Sequence, residues 1–99
     1  MTDMRQHIFG VIKDNRDALR DLGVTKLALF GSTARAEDTG ASDLDFVVEF
    51  ERKSFDTYMA LKELLEGLFG RKVDLVLPDA IKPRLRPRIM EELVNAPGL

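Results

Sequence analysis

Hydrophobic positions along the chain follow two rhythms. Over residues 3–22 the apolar side chains Met4, Ile8, Val11, Ile12, Leu19 and Leu22 return mostly at helical spacing, with Asp3 and Gln6 placed like a capping box and Gly23 as a stop. The same rhythm recurs at Phe55, Tyr58, Leu61, Leu65 and Leu68, entered through Ser54 as an N-cap and ended by Gly70. Tyr58 lies on that stripe, which predicts a core ring with its hydroxyl at the edge.

Other stretches alternate. The short apolar run ending at Phe30 is stopped by Gly31-Ser32, which predicts a buried strand over residues 26–30 and then a tight turn. Over residues 43–50, Asp43, Asp45, Val47 and Glu49 share one face and Leu44, Phe46, Val48 and Phe50 the other, a half-buried strand. Residues 72–77 repeat the design: Val73, Leu75 and Leu77 face one way, Lys72, Asp74 and Val76 the other, and Pro78 ends the strand. In the tail, Pro83 and Pro87 forbid one continuous helix; a helix is expected from about Pro87 through Val94, with Ile89, Met90 and Leu93 inward. These elements predict an α/β fold, a small mixed sheet of three strands with helices over one face and Asp43, Asp45 and Asp74 on the open other face.

That open face carries the candidate chemistry. Ser32 and Thr33 can cap a short helix over residues 33–37, whose free N–H groups would make an anion site. Asp43 and Asp45 point the same way, about 7 Å apart along a strand. Such a pair is either a solvated strand end or a site for a divalent cation, because close like charges repel unless a cation lies between them. Oxygen ligands without nearby histidine or cysteine suit magnesium or manganese. Asp74, in the middle of an apolar strand, needs a solvent, cation or donor partner, and joins the other two if its strand lies beside theirs.

Composition narrows the picture. A length of 99 residues predicts one domain, 1–99, small enough that partners or self-association are expected to matter. The absence of cysteine excludes disulfides, thiol catalysis and cysteine metal sites. A formal net charge of −2 gives no argument for nonspecific nucleic-acid binding. No apolar run reaches transmembrane length and the polar start is no signal peptide, so a cytoplasmic protein is expected. His7 lies in the first helix, away from the motif, and is assigned no role; Glu37 and Asp38 read as a solvated turn. The basic cluster Lys82, Arg84, Arg86 and Arg88 reads first as a solvated charged edge, and second as a contact for triphosphate, nucleic acid or an acidic partner. The chain lacks the P-loop pattern and the EF-hand loop.

Gly31-Ser32, Arg35 and Ser42-Asp43-x-Asp45 followed by hydrophobics resemble the signature of the DNA polymerase beta-like nucleotidyltransferase superfamily, and the small size resembles its minimal nucleotidyltransferase branch. Ala36 departs from the pattern, standing where the family often has glycine. The resemblance implies transfer of a nucleotidyl group from a triphosphate to a hydroxyl, with Asp43 and Asp45 holding two magnesium (or manganese) ions. Asp74 would hold the ion that activates the hydroxyl, or take its proton. Gly31 and Ser32 would bind the β and γ phosphates, and Arg35 would contact phosphate or brace the turn. It further implies an antitoxin that moves AMP from ATP to a tyrosine of a HEPN-domain ribonuclease toxin, with nucleic acid and membrane not expected as partners and a homo-oligomer as a further option. The rivals are an antitoxin that acts by occlusion alone and a small-molecule nucleotidyltransferase whose acceptor site forms between subunits.

Overall fold

The computed structural model describes residues 4–31, 43–52 and 54–96. Their elements are α1 (Met4–Asp14), α2 (Arg16–Asp21), β1 (Val24–Phe30), β2 (Leu44–Phe50), α3 (Phe55–Phe69), β3 (Val73–Val76), a 3-10 turn (Pro78–Ala80), α4 (Arg86–Glu92) and β4 (Val94–Asn95).

The helix expected over residues 3–22 is divided at Asn15. Its side-chain amide donates to Val11 O at 2.8 Å, and its backbone sits at φ −113°, off the helical value. A side chain that competes for a backbone carbonyl is the local reason for the break. Both pieces still bury one stripe, Ile8, Ile12 and Leu19, against the sheet. Gly23, at φ +85°, then turns the chain into β1.

The sheet has the order β3-β2-β1-β4. Strands β1 and β2 are antiparallel with Leu27 opposite Val48 and Phe30 opposite Asp45, and β2 and β3 are parallel with Asp45 opposite Asp74. A parallel neighbour needs a crossover, and α3 supplies it. Its ends are fixed as the sequence predicts: Ser54 Oγ accepts from Thr57 N at 3.1 Å, and Gly70 closes the helix at φ +63°. Leu61 and Leu65 are fully buried, each contributing about 1.5–3 kcal/mol by leaving water, and Phe69 stacks on Phe46 with ring centroids 6.3 Å apart. Phe55, expected on the buried stripe, is instead 77% exposed at the first position of the helix.

Helix α3 also seals the outer edge of β3. Leu44 N donates to Lys72 O at 3.0 Å, so in a parallel ladder the backbone groups of Val73 and Leu75 point away from β2. Two side chains of α3 meet them: Val73 N donates to Glu66 Oε2 at 3.0 Å, and Tyr58 OH donates to Leu75 O at 2.7 Å. An edge satisfied in this way is closed to strand addition at those groups. The placement of Tyr58 matches its predicted role.

Further expectations require correction. The sheet has a fourth strand: Val94, expected at the end of the last helix, pairs with Leu29, and Ala96 N donates to Leu27 O at 2.8 Å. A two-residue strand has no alternation to read. The second face of the sheet is also not open along its length. Ala28 and Val47 are buried there beneath the C-terminal segment, whose Pro78, Met90 and Leu93 close a cleft of about 50 Å³ with Lys26 and Glu49. Helix α4 itself begins at Arg86, with Pro87 in its first turn, and Met90 is 46% exposed rather than inward.

Candidate active site

The other end of that second face holds the acidic residues. Asp45 is the second residue of β2, half-buried, with Phe30 opposite it on β1 and Asp74 opposite it on β3. Directly opposed positions on neighbouring strands share a face and lie about 4.8 Å apart, so the two carboxylates stand side by side. Asp43, exposed, precedes β2 by one residue. The strand order assumed from the alternation is therefore correct, and it is what brings Asp74 to Asp45.

Gly31 closes this corner from the other side. Its φ of +77° lies in the left-handed region, and a Cβ built on it would stand 2.5 Å from Asp45 Oδ2. The backbone at the end of β1 thus lies against the Asp45 carboxylate, so side-chain bulk at position 31 would displace Asp45. The sequence pattern marks Gly31 as a tight turn and a point of phosphate approach; contact with Asp45 is an additional role that no local pattern discloses. Ser32 and Arg35, the other expected phosphate contacts, lie outside the described residues.

Among the described residues, no group of three acidic or histidine side chains could hold a metal ion on its own. The donors that are present fit a hard divalent cation which takes its remaining ligands from water and phosphate, as magnesium does. The register of β2 and β3 and the close approach of the Gly31 backbone thus gather two carboxylates at one corner of the sheet. His7, by contrast, is exposed on α1.

A nucleotidyltransferase domain model matches residues 12–95 of the chain. The chain belongs to the nucleotidyltransferase domain family. This nucleotidyltransferase is 39% identical over 89 residues to "Putative protein adenylyltransferase MJ1379" of Methanocaldococcus jannaschii, a match covering 85% of this chain and 89% of the relative. It is 33% identical over 91 residues to protein adenylyltransferase MntA of Thermococcus cleftensis, covering 90% and 92% of the two chains. Its fold is shared with a toxin–antitoxin crystal structure containing AMP-PNP, at TM-score 0.71 and 21% identity, over 92% of this chain and 73% of that one. A solved minimal nucleotidyltransferase shares the fold at TM-score 0.71 and 34% identity, over 87% of this chain and 93% of that one, which supports the minimal branch read from the signature, and nucleotidyl transfer is the activity of the domain.

Proposed function

We propose that this nucleotidyltransferase is an antitoxin that moves AMP from ATP to a protein hydroxyl, a tyrosine of a HEPN-type ribonuclease toxin, in a cytoplasmic toxin–antitoxin pair. The observation that carries the reading is Asp45, opposed to Asp74 across the parallel strands and held against Gly31. The adenylyltransferase names of its relatives and the toxin–antitoxin neighbour support the choice of reaction and partner.

In the reaction the acceptor oxygen bonds to the α-phosphorus of ATP, the bond from that phosphorus to the bridging oxygen breaks, and pyrophosphate leaves with the electron pair. Asp43, Asp45 and Asp74 are the residues that would hold magnesium, which supplies charge neutralisation at the phosphates and acidifies the attacking hydroxyl. Asp74, exposed and opposite Asp45, would receive the hydroxyl proton or orient that group. Gly31 keeps the Asp45 carboxylate in place and, with Ser32 and Arg35, would contact the phosphates. The work of the protein is positioning.

The test incubates the chain with ATP, magnesium and the protein encoded by the neighbouring gene. An adenylyl mass increase on a tyrosine of the partner is expected, with loss of the toxin's ribonuclease activity. Asp74→Asn should slow the modification by about a hundredfold or more while leaving a folded protein. A variant that neutralises the toxin as well as wild type, with no mass increase from either protein, would establish occlusion as the mechanism instead.

A further inference from the structure

The segment after β3 is unlike the rest of the surface. The formal net charge of the chain is −2, yet every charged residue between Asp79 and Glu91 is basic: Lys82, Arg84, Arg86 and Arg88. All four are exposed. Among them Leu85 is 43% exposed and Met90 46%, and the only other large hydrophobic exposed among the described residues is Phe55, in a different element. Arg86 ties the segment down, its Nη2 donating to Pro78 O at 2.6 Å, and Pro83 and Pro87 stiffen the backbone. The result is a braced surface with cations around aliphatic side chains.

Its position matters as much as its charge. Pro78, Met90 and Leu93 cover Val47, which lies on the same face of β2 as Asp45 and two residues further on, about 7 Å along the strand. Met90 belongs to this segment and lines the cleft at Val47, so a protein seated on it reaches from that cleft toward Asp45 and Asp74. We infer that the stretch from Lys82 to Met90 is the docking surface for the acceptor protein, recognising an acidic patch with an apolar centre and presenting the acceptor hydroxyl to Asp45 and Asp74. The inference rests on the proposed transfer to a protein.

A protein suits the chemistry better than the other polyanions. No aromatic residue lies between Pro78 and Ala96 for bases to stack on, whereas exposed Leu85 and Met90 need an apolar surface opposite them. Arginine and methionine are enriched in protein interfaces, and a stiff backbone loses little freedom on docking. A helix of seven residues, α4, is also short for an amphipathic membrane anchor.

The experiment measures transfer of AMP to the neighbouring-gene protein by Lys82→Glu/Arg84→Glu, by the conservative pair Lys82→Arg/Arg84→Lys, and by Leu85→Asp. The charge-reversed pair should raise KM for the protein acceptor about tenfold or more, with kcat and affinity for magnesium ATP essentially unchanged, and added salt should narrow its difference from wild type. The conservative pair should behave as wild type, and Leu85→Asp should raise KM even at high salt. An unchanged KM in the charge-reversed pair overturns the inference. So does a parallel fall in ATP affinity, which would give the segment to the triphosphate, or weakened binding of a labelled single-stranded RNA oligomer with unaltered binding of the protein. Should wild type transfer no AMP, the proposed function fails on its own. Calorimetric affinity of the partner for the charge-reversed pair then decides docking: weaker binding upholds it and equal binding ends it.

Discussion

Replacing Gly31 with alanine separates two effects that glycine substitutions usually mix. At φ +77° a residue with a Cβ bears backbone strain of about 1–2 kcal/mol. The new Cβ also lies 2.5 Å from Asp45 Oδ2, 3.4 Å from its Cγ and 3.5 Å from its Cβ, so the carboxylate must move. Forcing a half-buried side chain off its rotamer adds about 0.5–1.5 kcal/mol, for a total destabilisation of roughly 1.5–3.5 kcal/mol. Gly23 is the internal control: its φ is +85°, but nothing lies within 4 Å of a Cβ there. Gly23→Ala should show the backbone strain alone, about 1–2 kcal/mol, and keep its activity. Denaturant unfolding gives the stabilities, and single-turnover AMP transfer gives the chemistry. A displacement of about 1 Å at a reacting centre commonly lowers the rate about a hundredfold, and that loss is expected for Gly31→Ala only. If both variants lose stability equally and Gly31→Ala transfers AMP at the wild-type rate, Gly31 does not position Asp45 and the corner described here is not the reaction centre.

Two further substitutions probe the site and its support. Asp43→Asn should reduce the gain in nucleoside triphosphate affinity that magnesium or manganese brings; calorimetry giving the same metal effect in both proteins would remove Asp43 from the metal site. Tyr58→Phe deletes the hydrogen bond to Leu75 O at the edge of β3 and should destabilise the domain by about 1–2 kcal/mol, read from the urea midpoint, with catalysis in the remaining folded protein little altered. An unshifted midpoint would mean that the edge carbonyl does not depend on this donor.

What could be read from the sequence followed the range of the interactions. The α3 helix was legible to the residue because both of its ends are set by local chemistry, the Ser54 cap and the left-handed Gly70. The faces of β2 and β3 were legible because strand period is local too, and hence Asp45 and Asp74 were assigned to one surface before their pairing was known. Features made by distant partners escaped. β4 consists of Val94 and Asn95, and what makes them a strand is β1, far away in sequence. Burial of Val47 on the supposedly open face comes from Pro78 and residues of the tail, and an alternating pattern cannot anticipate that cover.

The same distinction explains why the site sits where it does. Val47 continues the polar face of β2 with an apolar residue, and Ala28 stands opposite it on β1, a small residue that gives the covering segment room. Two residues forward on β1 and two back on β2 the pair becomes Phe30 and Asp45, beside Gly31 and Asp74. Along β2 the change from Val47 to Asp45 thus runs from a buried apolar side chain to a half-buried acidic one. A carboxylate placed beneath the covering segment would be desolvated without a cation, which is costly; placed just beyond it, it keeps solvent and substrate within reach while its neighbours anchor the strand. The C-terminal segment therefore adjoins the candidate site as well as completing the sheet. The same segment bears the basic cluster, so changes in its length or packing should alter acceptor docking and the exposure of Asp45 together.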